Sequence, residues 1–227
     1  QIQVERIDLR FPLNLLVRGV EVIQQPDTLL SLESLNVRVQ AWPLLKGKVE
    51  VDEVTLSQVA VNSANLIEGM QIKGVLGRFF LQSHGVDLSN ETAVVNRTEL
   101  SDTHIQLLMT DTTTTPKDTT ASAPVNWKVN LHQLKLKNVS FGMKLPADSM
   151  KMAAYIGEAT IDDAKADLKN QFYGLKQFLL SGASASYDTG EAQPSEGFDA
   201  SHMAVRNIRI GLDSLLYEGR NMNAVIR

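Results

Sequence analysis

Cysteine is absent from the 227-residue chain. That excludes disulfides, thiol catalysis and zinc sites built on thiolates, and it fits either the cytosol or a bacterial envelope compartment. Aromatic residues contribute only 6%, so apolar surface must come from Leu, Val, Ile and Ala. Cations are no more plentiful: 22 Lys and Arg stand against 26 Asp and Glu, with no dense basic block. The chain therefore lacks the footprint of a nucleic-acid binder, whose affinity rests on neutralising phosphates, and it has no polybasic membrane patch. No apolar run reaches the ~18 residues that a membrane-spanning helix needs. The chain also opens and stops in mid-pattern, at Gln1-Ile-Gln-Val and Asn223-Ala-Val-Ile-Arg227, as an excised piece of a longer protein would.

Catalytic patterns are equally scarce. There is no GxSxG and no glycine-rich phosphate loop in a strand–loop–helix setting. His84, His104, His132 and His202 are not spaced as metal ligands, and His104 and His132 fall on the polar beat of strand-like segments. Asp162-Asp163 resembles a carboxylate pair, yet it occupies a position where turn residues belong. These features describe a non-enzymatic chain with no metal and no cofactor.

What the sequence does contain is a repeated strand unit. Writing φ for an apolar residue, with Ala and Thr allowed, the pattern φ-x-φ-x-x-φ-x-φ occurs in eight copies, beginning at Leu15, Leu30, Val54, Thr98, Leu134, Ala159, Phe178 and Met203. A strand alternates with period two, so the three-residue step in the middle should throw its second half onto the wrong face. The second spacer residue resolves this. In order it is Gly19, Ser34, Gln58, Asp102, Asn138, Asp163, Gly182 and Asn207. Gly, Asn and Asp tolerate left-handed backbone angles. Such a residue permits either a β-bulge, which bends the strand and keeps the flanking apolar residues on one face, or a two-residue hairpin turn. The bulge is the expectation for most copies, because stronger turn signals lie at Gln25-Pro26-Asp27, Lys46-Gly47-Lys48 and Tyr187-Asp-Thr-Gly190; Asn138 and Asn207 suit both.

The remainder reads as mainly β. Ile7 to Val17 alternates strictly, which predicts one strand with Pro12 at an edge or bulge. One or two short helical turns are expected, at Ala41–Gly47 and Asn62–Gly69. Thr110–Thr120 holds seven Thr and, with the following Ala-Ser-Ala-Pro124, has nothing to bury. It divides the chain into a first β segment at 1–109, a flexible loop at 110–124 and a continuation of the same architecture at 125–227. Within that loop Thr112 and Thr119 follow Asp in a short pattern resembling an envelope O-glycosylation acceptor.

The first 70 residues also carry a family resemblance. A strand unit from Glu5 to Val22 is followed by Leu30–Val39, then Trp42-Pro-Leu-Leu-Lys-Gly47, then Val49–Val61. This order of parts resembles the N-terminal periplasmic portion of AsmA-like proteins, in the TamB (translocation and assembly module) branch. Members often have Pro at or beside the place of Val59. The resemblance implies an elongated, curved antiparallel sheet folded into an open, taco-like groove, in a periplasmic protein anchored to the inner membrane. It further implies phospholipid acyl chains as cargo, transport of phospholipid between inner and outer membranes, and outer-membrane protein assembly or secretion with a β-barrel partner. The expected groove lining is Ile7, Leu9, Phe11, Leu13, Leu15, Val17, Leu35, Val37, Val39, Val54, Leu56, Val59 and Val61. The same alternation would serve a closed sandwich core, so a β-sandwich module that binds glycan or protein is the alternative.

Overall fold

A computed structural model of the chain describes residues 1–45, 50–63, 66, 69–87, 90–109, 126–190, 196–219 and 221–226. The Thr-rich segment, Thr112 and Thr119 within it, and the expected turn at Lys46-Gly47-Lys48 lie outside the described residues. Twelve strands form one sheet: β1 (Ile2–Arg10), β2 (Asn14–Gln24), β3 (Asp27–Val39), β4 (Val51–Asn62), β5 (Met70–Asp87), β6 (Thr92–Met109), β7 (Lys128–Leu145), β8 (Met150–Asp167), β9 (Phe172–Leu175), β10 (Gln177–Asp188), β11 (His202–Glu218) and β12 (Asn221–Ile226). They stand side by side in chain order, with the short β9 wedged between the ends of β8 and β11. A five-residue helix, α1 (Ala41–Leu45), and a 3-10 turn at Pro146–Asp148 complete the described structure. Ser63, Leu66 and Gly69 are not helical, so the second expected helical turn does not appear among the described residues.

Two expectations need correction. The sheet is not wholly antiparallel, because β6 and β7 pair in parallel. Lys128 at the start of β7 pairs with Thr92 at the start of β6, so the two strands set off from the same end. The alternation from Ile7 to Val17 is not one strand: residues 11–13 turn, and Leu9 faces Leu15 across the β1–β2 hairpin. A tight hairpin preserves the period-two beat on both arms, which is why the turn is invisible in the pattern.

All eight copies of the unit lie inside single strands, so none is a hairpin turn. Seven of the eight slot residues have positive φ: Gly19 (59°), Gln58 (49°), Asp102 (51°), Asn138 (53°), Asp163 (50°), Gly182 (62°) and Asn207 (55°). Ser34 is the exception. The pairing explains it. Arg18 faces Ser34 and Val20 faces Leu32, so the residue at the level of Gly19 is Glu33, one position earlier. Pairing is interrupted at this level strand after strand, through Glu5, Gly19, Glu33, Gln58, Gly77, Asp102, Asn138 and Gly157. Both partners skip one residue, so most of these irregularities are not two-against-one bulges. They form one crease across the sheet. Along the crease the register itself shifts at β10–β11, where antiparallel neighbours both carry a positive φ at Gly182 and Asn207.

From β1 to β10 strand direction goes with which residue bends at this crease, and Asn207 on β11 departs from it. β2, β4, β6, β7 and β10 run the same way and carry the left-handed residue, whereas Glu5, Glu33, Gly77 and Gly157 on the opposing strands do not. Two of those facing positions demand glycine for a different reason. A Cβ on Gly77 would lie 2.9 Å from the Asp102 carbonyl oxygen, and one on Gly157 would lie 3.0 Å from that of Gly182. The side chains at the crease add their own tie, Asn138 Nδ2 donating to Asp102 Oδ1 at 2.8 Å across the parallel pair.

This arrangement sets an ordering of substitutions. Asn138→Gly keeps the left-handed angle open, whereas Asn138→Val forces a β-branched residue into it at a cost of about 1–2 kcal/mol. Gly77→Ala meets backbone and should cost about 1–3 kcal/mol, as overpacking does. Urea denaturation midpoints are expected in the order wild type, Asn138→Gly, then Asn138→Val and Gly77→Ala. A Val variant as stable as the Gly variant would contradict the left-handed assignment.

Candidate functional site

The crease keeps one face of the sheet apolar from end to end. Beyond a left-handed residue the alternation resumes one position later, so the residues flanking the crease project from the same side. Cross-strand register then stacks them into rows. One row runs Ile7, Val17, Leu35, Leu56, Phe79, Leu100, Leu136, Ala159, Leu180, Ile210, apolar at every one of ten strands. The next runs Leu9, Leu15, Val37, Val54, Leu81, Thr98, Leu134, Ile161, Phe178, Leu212, Ile226, with Thr98 its single polar member. Across the crease come Val4, Val20, Leu32, Val59, Leu76, Thr103, Val139, Ile156, and beyond them Ile2, Val22, Leu30, Val61, Gly74, Ile105, Phe141, Ala154, Ala185, Val205.

The residues between these rows project to the other side and are mostly polar. A representative row is Arg6, Arg18, Ser34, Ser57, Arg78, Ser101, Lys137, Glu158, Ser181. Ion pairs along this side, Arg6 Nε to Asp8 Oδ2 at 2.7 Å and Arg38 to Glu53 at 3.0 Å, mark it as the solvated face.

Among the described residues nothing is layered over the apolar rows. The chain exposes 15388 Å², half as much again as the ~10,200 Å² of a compact folded chain of this mass. Among the described residues only four apolar ones are buried, Leu16, Leu32, Ala159 and Ala183, and no large side chain is fully enclosed. Row members on inner strands are half-buried by their neighbours, while those at the β1 edge stand open, Ile7 at 64% and Leu9 at 72% exposure. With strands ~4.8 Å apart and ~3.3 Å per residue, the four rows over ten strands cover roughly 45 Å by 20 Å. That exceeds the 300–600 Å² of the largest apolar patch on an ordinary monomer.

The sequence-derived lining falls into place unevenly. Ile7, Val17, Leu35 and Leu56 meet in one row, Leu9, Leu15, Val37 and Val54 in another, and Val59 and Val61 continue on β4 beyond the crease. Leu13 and Val39 are neighbours at the rim, the Val39 N–H donating to the Leu13 carbonyl at 3.0 Å. Phe11 belongs to no row; it sits in the β1–β2 turn, 98% exposed. Most of the face lies past residue 61. Its signal is the same spacing, which β1 carries at Ile2, Val4, Ile7 and Leu9 and β8 at Ala154, Ile156, Ala159 and Ile161.

The residues considered for chemistry make local and cross-strand contacts. Asp163 lies in a second, shorter crease, 3.1 Å from His132 Nδ1 and 3.6 Å from Lys176 Nζ. Asp162 accepts from Gln133 Nε2 at 3.2 Å, and its carbonyl from the Lys176 N–H at 3.1 Å. His104 is 2.6 Å from Ser140 Oγ and His202 is 2.9 Å from Asp199 Oδ2. Among the described residues no three metal-ligating side chains converge. A cavity of about 910 Å³ lies at the β5–β11 end beyond the crease, bordered by Phe141, Ala154, Ala185 and Val205 of the outermost apolar row, and none of the lining residues expected from the sequence borders it.

No protein-family model and no curated protein matches the chain.

The hydrogen bond from His132 holds the Asp163 carboxyl below its ordinary value, helped by Lys176 and opposed by partial desolvation. A carboxylate so depressed contributes stability above its unfolded-state pKa and loses that contribution as pH falls through the folded value. His132→Ala should therefore shift the Asp163 carboxyl titration, followed by NMR, upward toward the ordinary range. An unmoved midpoint would show that His132 is not the cause.

Proposed function

We propose that this chain is a non-enzymatic, lipid-handling segment of a TamB/AsmA-like cell-envelope protein. The observation that carries the reading is the uncovered apolar face of ten strands. In water an exposed apolar area on the order of 900 Å² is unfavourable by tens of calories per mole for each Å², so something apolar belongs on it. Acyl chains fit its dimensions, since half the hydrocarbon core of a bilayer is about 15 Å deep and the rows are about 20 Å across. A curled sheet with unpaired first and last strands provides an open groove in which chains could lie along the rows. The order of parts in the first 70 residues supports a periplasmic setting within an inner-membrane-anchored protein, phospholipid transport between the two membranes, and work with an outer-membrane β-barrel partner in protein assembly and secretion.

The rival reading, a β-sandwich that binds glycan or protein, requires a second sheet packed on the first. The twelve strands belong to one sheet, and the described residues supply no second layer.

Native mass spectrometry of the purified chain tests the reading. Co-purified phospholipid is expected, and it should be lost in a Leu56→Asp, Leu136→Asp double variant that retains its β circular-dichroism spectrum. Both residues lie mid-row, so the charges interrupt the face without touching the crease. A chain that carries no phospholipid and takes up no fluorescent fatty acid would overturn the proposal.

A further inference from the structure

We infer that the cavity of about 910 Å³ at the β5–β11 end is a site on the polar face for an extended anionic oligosaccharide. That face is turned away from the apolar rows, whatever they carry.

The border shows which way the cavity opens. On β5 it includes Gln71 and Lys73 but not Ile72 between them, and on β6 His104 and Gln106 but not Ile105. Alternation sends the first four to the polar side and the two isoleucines to the apolar side. Register then gives the floor. Gln106, Gly142, Ala153, Ser186 and Ala204 are successive cross-strand partners from β6 to β11. Four of the five are small, so the floor lies low between taller rows on either side. Backbone is open beside each small residue, which is how Phe141, Ala154, Ala185 and Val205 of the apolar face come to border the cavity.

The chain carries a net charge of -4, yet this depression is ringed by Lys73, Lys144, Lys151 and Arg206. None of the four makes an ion pair among the described residues. Elsewhere on the same face cations have carboxylate neighbours, as Arg38 has Glu53 and Lys128 has Asp167. Lys144 and Lys151 are moreover direct partners across β7 and β8. Like charges directly opposite one another repel. An anion between the two ammonium groups turns that repulsion into attraction through charge-assisted hydrogen bonds. The one carboxylate at the border, Asp188, is 3.8 Å from His202 Nε2.

The spread of the cations selects an extended ligand. Lys73 on β5 and Arg206 on β11 lie five strand spacings apart, ~24 Å. A small anion would meet the lysine pair alone, whereas a chain laid along the floor passes all four. Between the cations stand the hydroxyls of Tyr155, Ser184 and Ser186 and the amide of Gln106, none with a hydrogen-bond partner among the described residues. Such groups exchange hydrogen bonds with sugar hydroxyls. Tyr155, 39% exposed and two positions from the floor residue Ala153, offers a ring face for the C–H side of a sugar. A pyranose unit is also about as long as one strand spacing, ~4.8 Å, so successive sugars meet successive strands. An acidic peptide finds less here, because the strands from β5 to β11 are paired on both sides and present no free edge for backbone pairing.

Calorimetric titration of the 227-residue chain tests the site, with an alginate tetrasaccharide, neutral maltotetraose, hexaglutamate and inorganic phosphate as probes. The alginate tetrasaccharide should bind about tenfold more tightly than each of the others, and added salt should weaken it. Lys144→Gln/Lys151→Gln should remove about tenfold of that affinity and flatten its salt dependence. This double variant should unfold at no lower urea concentration than the parent, because it relieves a like-charge pair. Tyr155→Ala should weaken binding and leave the salt dependence unchanged, which separates sugar stacking from charge. No binding of the alginate tetrasaccharide, equal affinity for maltotetraose, or variants that bind as well as the parent would overturn the inference. Hexaglutamate binding as tightly would overturn it in favour of an acidic peptide, and phosphate doing so in favour of a free anion. Uptake of fluorescent fatty acid by the apolar rows should be unchanged in these variants, so a failure here is distinguishable from a failure of the lipid-handling proposal.

Discussion

The constraint on which this structure depends is the alignment of left-handed residues along one crease. A strand with an interrupted beat, standing alone, would turn half its apolar residues to the wrong side. With the left-handed residues of alternate strands aligned at one level and their neighbours skipping a pair there, the sheet passes through the interruption intact. Gly19, Gln58, Asp102 and Asn138 supply the backbone angle, and Gly77 supplies the close approach opposite Asp102. The register on either side follows from these contacts, since a slip of one position would set a left-handed residue against a regular pair.

A second consequence concerns where stability comes from. Compact domains draw most of theirs from side chains enclosed between two layers. Here the described residues form a single layer and enclose little, so cross-strand pairs along each row carry the load. Half-buried Leu, Val and Ile on inner strands gain contact from neighbours on both sides, whereas the β1 edge exposes Ile7 and Leu9. An apolar face of this extent is what the proposed apolar occupant would require.

Much of this was legible in the sequence because the crease is a local backbone event with a local residue preference. Asn138, Asp163 and Asn207 show it most clearly: polar, small and unbranched in the middle of apolar strands. Ser34 misled because its strand runs the other way and places Glu33 at the crease instead. The β1–β2 turn was hidden for the opposite reason, since Leu9 and Leu15 keep the beat across it. Strand order and the parallel β6–β7 pair were beyond reach, because they depend on how far the chain travels between strands and no residue type records that. The cross-strand pairing of Lys144 on β7 with Lys151 on β8 was equally hidden. Lys144 and Lys151 are seven positions apart in the sequence, and only the β7–β8 register makes them partners.

The central claim is that the chain is one open, creased sheet whose apolar face is not folded away. Its dimensions test that most directly. Ten strand spacings of ~4.8 Å and strands up to ~60 Å long give a radius of gyration of about 20 Å or more, whereas a compact chain of 227 residues would show about 17 Å. Small-angle X-ray scattering on the monomeric fraction from size exclusion is expected to return the larger value. A radius near 17 Å would mean the rows close upon themselves into a core, and would contradict the account.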